Sequence, residues 1–215
     1  MDERIYHIEK HIKSDTSGIE YPFTNPWICW KQHPKEVTGK YSYEPICKYS
    51  TIAGFWTFIN NLEIQNMQRI IFMREGICPE WEDKKHINGA HFIITLNNKQ
   101  NSYNILLDCL LGLMGESFCN DKYENLNITG LTYINEPFLK QIRIWTSEKD
   151  NILDVSKISD EYKKCFENAN IDFSKQFLFV TFKKLMKKAQ QKDKINSVNS
   201  VNKSGHFYHE KTNQT

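Results

Sequence analysis

Apolar residues fall into short blocks separated by polar turns, and each block has one of two spacings. Ile52, Phe55, Trp56 and Ile59 recur at helical spacing and predict an amphipathic helix over 51–60, with Ser50 or Thr51 as its N-cap. Residues 102–114 give the most apolar helix (Ile105, Leu106, Leu107, Leu110, Leu111, Leu113, Met114), ending near Gly115. A third helix is predicted over 158–168, with Tyr162, Cys165 and Phe166 on one face. The shorter blocks read as strands: Trp27–Trp30, Met67–Met73, Ala90–Leu96 and Phe177–Phe182. Leu131–Ile134 and Leu139–Trp145 read as paired strands around a turn at Asn135-Glu136-Pro137. Tyr41 and Tyr43 stand at strand period, so their rings project to the same side if that piece is extended. Strands interleaved with three helices, without a regular βαβ rhythm, predict an α+β fold: one curved, mainly antiparallel sheet with helices on one face.

Composition and charge set the limits of this unit. The chain has 215 residues, enough for one core, and reads as a polar arm over 1–20, a folded domain over 21–182 and a basic, mobile segment over 183–215. Residues 175–215 hold nine lysines against Asp193 and Glu210, a net of +7, while the rest of the chain carries −5. Six cysteines show no CxxC pair and no ligand-like spacing with histidine, which argues against a zinc site or a disulfide framework. No apolar signal stretch follows Met1-Asp2-Glu3-Arg4, and no apolar run reaches the ~18–20 residues of a membrane span. A reducing cytoplasmic or nuclear setting is expected, with no membrane contact.

The most distinctive local chemistry lies in Gly76-Ile77-Cys78-Pro79-Glu80-Trp81-Glu82-Asp83. Trp81 offers an electron-rich face, and Glu82 stands beside it on a turn held by Pro79. A cationic purine suits both groups: its ring stacks over the indole as a cation on a π face, and its N–H donors meet the carboxylate. Guanine has two adjacent donors on its Watson–Crick edge, and N7-methylation makes it cationic. Adenine lacks that donor pair and leaves the carboxylate poorly satisfied. An enzymatic reading has little to rest on. The chain has no P-loop, no Gly-rich phosphate cradle and no metal-spaced cluster, and the adjacent Glu82 and Asp83 diverge in direction.

Several pieces coincide with one family. Tyr21-Pro22, Trp27-x-x-Trp30, Ser50-Thr51-Ile52-x-x-Phe55-Trp56 and Pro79-x-Trp81-Glu82-Asp83 occur in order. They are followed by Asn88-Gly89-x-x-Phe92-x-Ile94-Thr95-Leu96, Leu113-x-Gly115-Glu116-Ser117-Phe118 and Ile142-x-Ile144-Trp145-Thr146. Over residues 20–182 the chain resembles the cap-binding translation initiation factor 4E family, whose members bind the 7-methylguanosine cap of messenger RNA. The resemblance implies about eight antiparallel strands with three helices on the convex face and the cap in the concave one. It implies that Trp81 stacks on the base, that Glu82 grips guanine N1–H and N2–H₂, and that Trp145 contacts the N7-methyl group. No cofactor is implied, and the protein is expected to act as a monomer.

The chain departs from the pattern at two places. The second stacking residue, usually Trp, falls in Gly39-Lys40-Tyr41-Ser42-Tyr43; Tyr41 is nearest in spacing and Tyr43 is the alternative. Where the family carries basic residues for the cap triphosphate, this chain has Glu136, Phe138 and Gln141, with Lys140 and Arg143 out of register. Lys140 stays a candidate, Arg143 is read as facing away, and His91 and Lys203 fall where further phosphate contacts are expected. On the convex face the resemblance implies a partner groove made by Pro22, Ile52, Trp56, Leu107, Asp108 and Leu111. Its partner would be a Tyr-x-x-x-x-Leu-hydrophobic helix, as in the scaffold factor 4G and in inhibitory 4E-binding proteins. Two functions fit this pattern: a factor that recruits the scaffold to start translation, or a cap-binding repressor that does not engage it productively.

Overall fold

The computed structural model describes residues 20–33, 41–96, 101–116, 128–147 and 177–191. They form β1 (Pro22–Gln32), β2 (Tyr43–Thr51), α1 (Ile52–Asn61), β3 (Arg69–Arg74), β4 (Ala90–Thr95), α2 (Ser102–Met114), β5 (Ile128–Glu136), β6 (Leu139–Thr146) and β7 (Phe177–Thr181). A helix α3 covers 182–191, and a single 3-10 turn spans Ile64–Asn66. The seven strands make one antiparallel sheet in the order β2-β1-β3-β5-β6-β4-β7. The predicted helix over 158–168, the arm before Glu20 and Lys203 lie outside the described residues.

Strand alternation divides the sheet into two faces. Ile70, Phe72, Leu131, Tyr133, Ile142 and Ile144 point to a core that also takes Phe55, Phe58 and Ile59 of α1 and Leu106, Cys109, Leu110 and Leu113 of α2. The intervening residues Ile71, Met73 and Trp145 point to the opposite, front face, where Phe182 joins them. Local chemistry sets both helix starts. Thr51 Oγ1 accepts from the Gly54 N–H at 3.1 Å, and Asn101 Oδ1 accepts from the N–H groups of Tyr103 and Asn104.

Two departures from the sequence reading matter for function. Residues 183–191, read as the start of a mobile basic segment, are helical together with Phe182, read as the end of the last strand, and α3 packs on the front face rather than with α1 and α2. Residues 43–51, of which the sequence reading placed only Tyr43 at strand period, form the edge strand β2. Pro45 lacks an N–H to donate and is tolerated at that edge. Among the described residues, no helix is long and apolar enough to cross a membrane.

Candidate nucleotide-binding site on the front face

The loop 75–89 between β3 and β4 is held by its own polar groups. Asp83 accepts from the N–H groups of Cys78 (3.0 Å) and Lys85 (2.8 Å), so its carboxylate serves the loop and is not one half of an acid pair with Glu82. His86 is fully buried. Its Nδ1 meets the Glu80 carbonyl at 2.8 Å and must donate there, so Nε2 accepts from the Thr129 hydroxyl at 2.9 Å. Burial lowers the His86 pKa and favours this neutral form. Thr129 is the extra residue of a β-bulge, since Ile128 opposes Thr146 and Gly130 opposes Trp145. At Gly89 a Cβ would come within 2.0 Å of the Thr146 carbonyl oxygen, so only glycine permits this approach of loop to strand.

Trp81 and Tyr43 pack against one buried nucleus, Ile71, Met73, Trp145 and Phe182, together with Trp30, Leu185 and Met186. A register shift explains Tyr43. Cys29 pairs with Cys47 but Trp30 with Pro45, so one residue of β2 is bulged out and the parity beyond it reverses. Strict alternation would send Tyr43 to the helical core with Cys47 and Tyr49; the bulge sends it to the front face with Trp30. Burial first, then the carboxylates of Glu80 and Glu82, push the Tyr43 phenol up to about 12. Glu82 itself is exposed and Trp81 half-buried. Tyr41 is not among the residues packed on this nucleus; the Arg69 guanidinium stands 5.8 Å from its ring centroid.

Trp145 is buried and its Nε1–H donates to Thr132 Oγ1 at 2.7 Å, which fixes the ring. Gly130, beside it on β5, leaves the space that Met73 fills: a Cβ there would stand 2.2 Å from Met73 Sδ. His91 is 2% exposed, enclosed edge-to-face by Trp145 (4.3 Å) and Phe182 (4.5 Å), and neither ring nitrogen has a hydrogen-bond partner. The expected phosphate contact from His91 is therefore corrected, because in this conformation its ring has no open side.

Burial first, then Arg143 and His86, hold the His91 pKa well below the usual histidine value. The unfolded chain then binds more protons than the folded one as pH falls below about 6.5, so folding stability is lost on acidification. Thermal stability is expected to fall between pH 7 and pH 5 by up to about 1.4 kcal/mol per pH unit for each buried histidine. A His91→Phe variant should show a shallower slope in calorimetric melts over that range. An unchanged slope would show that this ring does not carry the effect.

The basic residues of the front face differ from those expected. Lys140 shares the parity of Ile142 and Ile144, and β6 pairs with β5 without a shift from Leu139 to Trp145, so Lys140 belongs to the helical face. Arg143 shares the parity of Trp145 and lies on the front, the reverse of its sequence reading. Arg69, not anticipated, shares that face through Ile71 and Met73 and donates from Nε to Glu136 Oε1 at 2.6 Å. Burial and then the Arg69 charge pull the Arg143 pKa down, while Tyr41 and Glu136 oppose them. Glu136 pairs with Arg69, while Arg143 donates from Nε and Nη2 to Gln141 Oε1 at 3.1 and 2.9 Å, so two guanidiniums face one paired carboxylate on this side of the sheet. An open cleft of about 540 Å³ adjoins it, lined by Lys31, Gln32, His33, Tyr41, Arg69 and Glu136.

On the helical face, the Ile52 N–H donates to the Tyr21 carbonyl at 3.0 Å, which holds Tyr21 and Pro22 beside the start of α1. Ile52 and Leu111 are 44% and 40% exposed, Trp56 and Leu107 half-buried, and Pro22 and Asp108 exposed. Among the described residues no group of three His, Cys, Asp or Glu side chains is placed to hold a metal ion.

The family model described as eukaryotic initiation factor 4E matches residues 22–198. An uncharacterized protein of Acanthamoeba polyphaga mimivirus is 30% identical over 158 residues, covering 74% of this chain and 85% of that protein. Human eukaryotic translation initiation factor 4E is 30% identical over 154 residues, covering 68% of this chain and 70% of that one. Among solved structures, schistosome eIF4E complexed with m7GpppG and 4E-BP superposes with a TM-score of 0.67 at 18% identity, covering 79% of this chain and 92% of that one. Ascaris suum eIF4E-3 with the m7G cap gives 0.64 at 16% identity, covering 76% and 92%. These structural likenesses show a shared fold.

Proposed function

This chain belongs to the eukaryotic initiation factor 4E family, and from that membership we propose that it binds the 7-methylguanosine cap of messenger RNA and performs no chemistry on it. The observation that carries this reading is the convergence of Tyr43, Trp81 and Trp145 on one nucleus, with the exposed Glu82 next to Trp81 on the same loop. The methylated base, a delocalised cation, stacks between Trp81 and Tyr43. Glu82 accepts from guanine N1–H and N2–H₂ and so rejects adenine. Arg69 and Arg143 take the triphosphate in place of the family's usual basic strand positions.

The helical face supplies the second activity. Exposed Ile52 and Leu111 flank half-buried Trp56 and Leu107, a groove that fits the apolar side of an amphipathic helix. We assign to it a Tyr-x-x-x-x-Leu-hydrophobic partner of the scaffold or inhibitor type. Cap recognition is tested by tryptophan-quenching titration with 7-methyl-GTP against GTP. At least a ten-fold preference for the methylated ligand is expected, about 1.4 kcal/mol. Equal affinities would overturn the reading.

A further inference from the structure

We propose that α3 is a landing surface for the RNA chain that follows the cap, holding its phosphates without regard to sequence; this rests on the cap-binding reading above. At about 100° per residue, Phe182, Leu185 and Met186 form one side of α3. Phe182 is fully buried, and Leu185 and Met186 pack on the nucleus that Trp81 and Tyr43 share. Lys183, Lys184, Lys187 and Lys188 fall within an arc of about 140° centred opposite that side, and all four are exposed. The helix 182–191 contains no acidic residue to neutralise them.

The apolar side thus anchors α3 at the base site, and the basic side faces outward beside it. α3 therefore borders the front face that carries the proposed base site. The occupant is a polyanion by charge complementarity. A membrane surface is disfavoured, because an interfacial helix needs its apolar side free and here that side is buried. No aromatic ring stands on the basic arc, so α3 reads phosphate charge and not bases.

The test compares salt dependence for m7GpppG, the same cap on a ten-nucleotide RNA, and the uncapped ten-mer. Each single-strand phosphate contact adds about −0.7 to the slope of log K against log salt. Four contacts would add about −2.8, roughly a 50-fold larger loss for the capped ten-mer between 50 and 200 mM salt. A variant with Lys183, Lys184, Lys187 and Lys188 changed to Gln keeps helix propensity. It should bring the two slopes together and leave m7GpppG affinity unchanged, while Lys→Arg at the same positions restores the difference.

Equal slopes in the natural protein, or a ten-mer advantage that survives the Gln variant, would overturn the proposal. So would an acidic peptide of equal charge that binds α3 as tightly as the ten-mer. If m7GpppG fails to bind but the uncapped ten-mer keeps a lysine-dependent slope, the cap reading falls and the RNA surface stands.

Discussion

Trp81→Ala is expected to lower 7-methyl-GTP affinity about 100-fold. Stacking of one base on an aromatic side chain is worth about 1–3 kcal/mol, and the positive charge on the methylated ring adds a cation–π share of up to about 2 kcal/mol once water is excluded. A loss near 2.7 kcal/mol corresponds to that factor. The fold should survive, because the loop is held by Asp83 and His86 and not by the indole. Trp81 is only half-buried, so the expected fall in Tm is no more than about 4 °C. Calorimetric titration is the right readout, since the substitution removes a fluorophore. Wild-type affinity in the variant would move the base elsewhere, and the cleft beside Tyr41 and Arg69 would be the place to look.

Trp56→Ala is expected to weaken binding of a Tyr-x-x-x-x-Leu-hydrophobic peptide about 100-fold and to leave 7-methyl-GTP binding intact. Interface tryptophans whose truncation costs 2–4 kcal/mol are the common hot spots. Trp56 has the required position: its ring lies 5.3 Å from Phe55, whose side chain is fixed in the core, and part of it reaches the surface. Some stability is lost as well, because that packing is broken. The retained cap titration shows that the variant is folded, and Leu111→Ala, at a more exposed position, gives a second, milder loss. Undiminished peptide affinity in a folded Trp56→Ala protein would remove the groove from consideration.

Helix α2 could be read from the sequence because its apolar spacing extends over thirteen residues and Asn101 caps it. Tyr43 could not be assigned, because its side depends on a bulge that appears only when β2 is laid against β1. Arg143 was judged against Ile142 and Ile144, its neighbours in sequence, when its parity with Trp145 was the informative relation; that signal was present and misread. Arg69 had no local mark at all. Its meaning comes from Glu136, sixty-seven positions away, and from a guanidinium on another strand. Candidate phosphate ligands are hard to find for this reason: any surface lysine or arginine looks the same until its face is known. Basic α3 resembled a solvated tail because three large apolar residues in ten make a weak pattern, and the nucleus that receives them lies on distant strands.

The sheet order has a consequence for how the chain is made. β4 lies between β6 and β7, so its outer hydrogen-bonding edge stays bare until residues 177–181 have been synthesised. Through that interval Phe92 and Ile94 sit on an unpaired strand edge of the kind that invites pairing between chains. Phe182, immediately after β7, then covers His91 and Trp145. Closure of the edge and completion of the nucleotide pocket are therefore one late event in biosynthesis, and a ribosome stalled before this point would present an unfinished pocket and a sticky edge together.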